Sequence, residues 1–264
     1  MNKSPIGVLD SGIGGLSIWK EIVKKLLHES TVYIADSENC PYGIKTEKEI
    51  YRLSKRMVKF LIQKKVKLIV IACNTITVVC LDRLRKNFPN IPIIGTVPVV
   101  KTASEKTKNG KIGILSTQKT AESKYQKDLI KKFCKGLRVL NLGTDRLVPL
   151  IERGVVSGIK INKILKEELK PFIDFKADVL VLGCSHFPLL KKEIGQVLGK
   201  SVQVLDSGGA VARQTKRILK SNNSLSDYEK SVHLLYTTGD PVRFKKVAEA
   251  LVRTKLKKVE FVDL

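Results

Sequence analysis

Two apolar runs in this chain end in the same way. Leu68-Ile69-Val70-Ile71-Ala72 stops at Cys73 and continues into Asn74-Thr75, and Val179-Leu180-Val181-Leu182-Gly183 stops at Cys184 and continues into Ser185-His186. Each run is short, rich in β-branched residues and apolar on both faces, the pattern of a strand buried in a parallel sheet. Parallel strands need long crossover connections, usually helices. In open α/β sheets, ligands sit beyond the carboxyl ends of the strands. A thiol at each of two such tips points to a pair of sulfurs facing one substrate.

Further strands are predicted at Ile6–Leu9, Thr31–Ala35, Pro92–Gly95, Lys111–Leu115, Leu137–Leu142, Val202–Leu205, Val232–Tyr236 and Val259–Val262, with helical patterns such as Leu16–Leu27, Glu47–Lys64 and Pro241–Lys255 between them. This alternation reads as an α/β fold with doubly wound parallel sheets. The halves also echo one another. Ile6-Gly7-Val8-Leu9 recurs as Ile112-Gly113-Ile114-Leu115, 106 residues on, while the cysteine strands, and Ile93-Ile94 with Val204-Leu205, each stand 111 residues apart. Three echoes in one order predict two pseudo-symmetric lobes with the active site in the cleft between them. The expected division is residues 1–97 plus 208–264 for the first lobe and 98–207 for the second, with crossings near Val97-Pro98 and Gly208-Gly209.

A chain of 264 residues that is 43% hydrophobic has ample material for a core, and it holds no apolar run long enough to span a membrane. No signal peptide is expected. Five scattered cysteines without a C-x-x-C pair argue against a disulfide framework and for a reducing cytoplasm, and three histidines are too few to suggest a zinc site. Cys80 and Cys134 fall in helical patterns and read as core; Cys40 lies in a loop where it can line the cleft, without assigned chemistry. The net charge of +24 invites a nucleic-acid partner, but the lysines are spread over many helices and aromatics do not interleave with them. A solvated basic surface, which would also draw in a small anion, is the expected reading, with no nucleic acid as main partner.

The first strand opens into Asp10-Ser11-Gly12-Ile13-Gly14-Gly15. The loop fits neither a dinucleotide fingerprint nor a phosphate loop, since the required last glycine is Ser17 and no Gly-Lys-Ser/Thr follows. It leaves a carboxylate and a hydroxyl at a strand tip, able to cap the following helix, to touch a substrate, or both. Cys73, at a strand tip near a helix N-terminus, is expected to have its thiol pKa lowered from about 8.5. Cys184 has the same setting, with His186 placed to activate it. Two opposed thiols suit the inversion of a stereocentre, in which one removes a proton from carbon and the other returns a proton to the opposite face.

The segments Asp10-Ser11-Gly12-Ile13-Gly14-Gly15-Leu16, Pro41-Tyr42-Gly43, Ala72-Cys73-Asn74-Thr75 and Gly183-Cys184-Ser185-His186-Phe187-Pro188-Leu189-Leu190 together resemble the signature segments of glutamate racemases, within the aspartate/glutamate racemase superfamily. His186 favours glutamate, because aspartate-specific relatives usually carry Glu there. Ser185 and Phe187 depart from the usual Thr and Tyr but keep a hydroxyl and a ring. The resemblance implies a cofactor-independent isomerase, without a metal, that interconverts L- and D-glutamate for peptidoglycan synthesis. A racemase of the same superfamily acting on aspartate or another small acid is the alternative. The resemblance also implies catalytic roles for Cys73 and Cys184, with Asp10 assisting the first and His186 the second. It places Asp10, Ser11, Pro41, Tyr42, Gly43, Asn74, Thr75, Glu152, Ser185 and His186 at the substrate. A homodimer is the expected assembly. Activation by a cell-wall precursor, linked in some relatives to an N-terminal extension, is not expected with Asp10 so near the start.

Overall fold

A computed structural model describes residues 2–227 and 229–264. Its strands are β1 (Ile6–Asp10), β2 (Thr31–Ala35), β3 (Leu68–Ile71), β4 (Ile93–Gly95), β5 (Lys111–Ser116), β6 (Arg138–Gly143), β7 (Val179–Gly183), β8 (Gln203–Leu205), β9 (His233–Thr237) and β10 (Val259–Phe261). The helices between them are α1 (Leu16–Lys25), α2 (Glu47–Gln63), α3 (Asn74–Asn87), α4 (Val100–Lys106), α5 (Gln118–Glu122), α6 (Lys124–Phe133), α7 (Val148–Glu152), α8 (Ile159–Asp174), α9 (Lys191–Leu198), α10 (Gly208–Ser221) and α11 (Pro241–Val252). Every predicted strand and each of the three predicted helices is present, with ends moved by at most a few residues. Local signals place the boundaries. Thr46 and Glu49 form a reciprocal capping box that starts α2, and Asp240 accepts two backbone N–H groups ahead of Pro241 to start α11.

The strands form two parallel sheets, one in the order β10-β9-β2-β1-β3-β4 and one in the order β6-β5-β7-β8. The run β2-β1-β3-β4 of the first has the same connectivity as β6-β5-β7-β8 of the second. The echoes seen in sequence therefore correspond to strands in equivalent positions: β1 with β5, β3 with β7, and β4 with β8. Strands β1, β3 and β7 are buried along their whole length, as helices on both faces require.

The two sheets share buried material. One apolar cluster runs from Ile6, Val8 and Leu16 in the first to Leu115, Leu180 and Leu182 in the second, by way of Phe172 of α8 and Val211 of α10. Helix α10 packs on α1, and the chain after it adds β9 and β10 to the first sheet beside β2. This arrangement holds the carboxyl ends of β1, β3 and β7 around one space. Among the described residues, no helix is long and apolar enough to cross a membrane.

Candidate active site

The site is built from strand tips. Asp10 ends β1, Cys73 stands between β3 and α3 as the N-cap residue of α3, and Cys184 follows β7. Both sulfurs are nearly enclosed, Cys73 at 4% exposure and Cys184 at 5%. The Asp10–Ser11 pair joins them. The Ser11 hydroxyl lies 3.6 Å from Cys73 Sγ, and the Asp10 carboxylate accepts a 2.9 Å hydrogen bond from the hydroxyl of Ser185, next to Cys184 in the chain. Cys73 therefore touches this dipeptide directly, and Cys184 is tied to it through its chain neighbour Ser185. The negative charge of a Cys184 thiolate also contributes to raising the Cys73 pKa.

On the Cys184 side the imidazole of His186 forms a relay. Its Nδ1 lies 3.8 Å from Cys184 Sγ, and its Nε2 lies 2.6 Å from the Glu152 carboxylate at the end of α7. The same Glu152 oxygen accepts the Ile13 N–H at 2.7 Å. Burial works to lower the His186 pKa, but hydrogen bonds to Cys184, Cys40 and Glu152, with the charge of Glu152, outweigh it and hold the ring's pKa well above 6.5. The direction favours the protonated ring, and a cation beside a thiol favours the thiolate. Glu152 is not an ordinary surface residue of its helix.

On the Cys73 side the structure corrects the expectation of a lowered thiol pKa. Burial, reinforced by the negative charge of Asp10, pushes the Cys73 thiol well above 9.0 despite hydrogen bonds from the Ile76 N–H and Ser11. The helix N-terminus supplies only a fraction of a charge, whereas enclosure strips the thiolate of water. Asp10 is itself raised from 3.8 to about 6, by burial first, against the opposing pull of His186 and its bonds from Gly12 and Ser185.

The remaining predicted residues fall around the same space. Asn74 donates to the Thr96 carbonyl at 3.2 Å, and Thr75 meets the Thr117 hydroxyl at 3.0 Å across the boundary between the sheets. The Tyr42 hydroxyl is already committed to Asp36 at 2.5 Å, so the ring anchors its loop. A side chain added at Gly43 would meet Asp145 and Thr117. Sequence reading missed Thr117 and Thr120, whose hydroxyls bond each other at 2.9 Å and reach Thr75. The echo of Asp10-Ser11 by Ser116-Thr117 was the available signal. A cavity of about 420 Å³ is bordered by Ile13, Cys40, Pro41 and Glu152, on the His186–Glu152 side of the site, and its lining includes neither Cys73 nor Cys184.

Close packing explains the glycines of the first loop. A Cβ at Gly12 would strike the Glu152 carboxylate, and one at Gly14 would strike the His186 ring. Gly14→Ala is therefore expected to cost about 1–3 kcal/mol, the usual penalty for overpacking a filled interior, and to lower catalytic activity by displacing the imidazole. Urea unfolding checks this, and a loss well under 1 kcal/mol with unchanged activity would show that the ring yields freely.

Two parallel-sheet units with buried thiols at equivalent strand tips are the setting of this family: the chain belongs to the Asp/Glu/Hydantoin racemase family, whose pattern it matches over residues 6–215. Relatives it resembles over nearly its whole length include glutamate racemases. The one from Lactobacillus acidophilus is 40% identical over 255 residues, covering 96% of this chain and 94% of the relative. A crystal structure of a glutamate racemase isoform from Bacillus anthracis superimposes with a TM-score of 0.92 at 34% identity, covering 100% of this chain and 99% of that one. That of the Francisella tularensis glutamate racemase in complex with D-glutamate does so with a TM-score of 0.88 at 31% identity, covering 100% and 98%.

Proposed function

We propose that this protein interconverts L- and D-glutamate without an organic cofactor, with Cys73 and Cys184 as the two acid/base groups, and so supplies D-glutamate for peptidoglycan synthesis. The observation that carries the reading is the pair of buried thiols at equivalent strand tips, joined through Asp10 and Ser11. Starting from L-glutamate, the Cys184 thiolate takes the α-proton while protonated His186, held by Glu152, stabilises the sulfur. The electron pair left on the α-carbon spreads into the α-carboxylate. The Cys73 thiol then delivers its proton to the opposite face, leaving Cys73 as thiolate and Cys184 as thiol. The D-to-L direction runs through the same steps reversed, with Cys73 as the base and Asp10 beside it. The enzyme resets by proton exchange with solvent.

The α-carbon of an amino acid is a very weak acid, so the barrier has to be lowered by position and by dipoles already in place. Ser11, Asn74, Thr75 and Ser185 are the donors we assign to the substrate carboxylates, with Thr117 and Thr120 completing the set from the second sheet. The Pro41–Gly43 backbone forms the opposite wall. Burial of both sulfurs supports a site that works with little water, where such donors act most strongly. We further propose the lobe division 1–97 plus 208–264 and 98–207, a homodimeric assembly and a cytoplasmic location, which suits five unpaired thiols.

The test is proton exchange. In D₂O, without added cofactor, the α-hydrogen of either glutamate enantiomer is expected to wash out as the circular dichroism of the solution decays to zero. Rapid turnover of aspartate with none of glutamate would move the specificity to the alternative substrate class.

A further inference from the structure

Cys40 stands outside the proton-transfer scheme yet sits against its relay. Its sulfur, a carboxylate oxygen of Glu152 and a ring nitrogen of His186 all lie within 4.8 Å of one another. We propose that these three side chains form a site for a thiophilic divalent cation of the zinc class, and that an ion bound there inhibits the enzyme. The site goes beyond the catalytic reading; only the inhibition rests on it.

The donor set is a thiolate, a carboxylate and an imidazole, which is the chemistry zinc prefers. Tetrahedral zinc with ordinary bond lengths places its ligand atoms roughly 3.3–3.7 Å apart. The spacing here reaches this if the Glu152–His186 contact, now 2.6 Å, opens by about 1 Å and the Cys40 sulfur, within 4.8 Å of both, closes by no more than about 1.5 Å. Thiolate and carboxylate together balance the two charges of the ion. The neighbouring groups are also suitable. Ile13 N–H already orients the Glu152 oxygen, and an ion on His186 Nε2 leaves Nδ1–H directed at Cys184. Cys40 and Glu152 border the 420 Å³ cavity, so an ion has a route in and room for a water as fourth ligand. The chain's net charge of +24 opposes cations at long range, but that field is screened beyond about 10 Å at 0.1 M salt, whereas the three ligands act at contact.

Binding is an exchange of protons for metal. The Cys40 thiol, whose pKa burial pushes up to about 12, and the proton between His186 and Glu152 are released to solvent as the S–metal and N–metal bonds form. No atom changes oxidation state. His186 then becomes a neutral, metal-bound ring that no longer favours the Cys184 thiolate.

The full chain, stripped by a chelator, is titrated with CoCl₂ in the absence of substrate. One equivalent is expected to bind with a sulfur-to-cobalt charge-transfer band. In Cys40→Ser, and equally in Cys40→Ala, the band should disappear and ZnCl₂ affinity should fall at least about tenfold. ZnCl₂ should also inhibit racemisation by the unmodified enzyme, reversibly by chelator, while whatever racemisation each variant retains should resist it. A band that survives in both Cys40 variants overturns the site, as does one lost only in Cys184→Ser, which would place the metal on a catalytic thiol. Absence of cobalt binding overturns it as well. Because the band is read without turnover, a chain that binds cobalt through Cys40 but does not racemise glutamate would keep the metal site and sink the activity instead.

Discussion

Replacing either Cys73 or Cys184 by alanine is expected to abolish racemisation while leaving a folded protein. A positioned acid or base is worth about 10²–10⁴ in rate, and here each thiol has no substitute on its own face of the substrate. The lost sulfur leaves only a small cavity, at a cost of about 1–2 kcal/mol. The two variants should also fail differently. Cys73→Ala keeps the base we assign to the L-enantiomer, so in D₂O it should exchange the α-hydrogen of L-glutamate with retention of configuration. Cys184→Ala should do so only with D-glutamate. Proton NMR together with circular dichroism separates exchange from inversion. Full racemisation by either variant removes the two-thiol scheme. Exchange with the enantiomers swapped reverses the assignment of faces.

Asp10→Asn is expected to stabilise the protein at alkaline pH and cripple it as a catalyst. The Asp10 carboxyl is fully buried and its pKa rises from 3.8 to about 6. A group raised on folding favours the folded state while protonated. That contribution is complete below about pH 4 and is lost as pH climbs through about 6. At pH 8 the buried carboxylate costs about 3 kcal/mol, at about 1.4 kcal/mol for each tenfold change in acidity. Asparagine keeps an oxygen for the Gly12 N–H, now held at 2.9 Å by Asp10, and its amide can donate to the Ser185 hydroxyl. Urea unfolding at pH 4 and pH 8 should show the variant gaining stability over the parent only at the higher pH. An equal difference at both would mean that packing, not ionisation, sets its effect. The penalty carried by Asp10 is the kind of local strain that sites keep for function.

Much of the architecture was legible because it is written at short range. The β-branched runs and the turn residues between them each act within a few residues of themselves, so the ten strands could be read in order. The repeat of Ile6–Leu9 in Ile112–Leu115, with the cysteines in register, carried the equivalence of β1 with β5 and β3 with β7. The site was legible where it follows a strand end, as at Asp10, Cys73 and Cys184, because direction in a parallel sheet decides which end meets the ligand.

What the linear chain left open depends on groups brought together from far apart. Glu152 reaches Ile13 across 139 positions and His186 across 34, and no local pattern distinguishes it from a solvated carboxylate. Thr117 and Thr120 enter the site only because the second sheet turns them toward Thr75. The thiol of Cys73 is raised rather than lowered because enclosure, a property of the whole fold, outweighs the helix end that the sequence displays. Sequence alone determined which elements form and which tips carry sulfur, since these follow from side-chain periodicity. Tertiary structure alone decided which charges lose their water and which neighbours they find, since desolvation and contact exist only once the two sheets have packed.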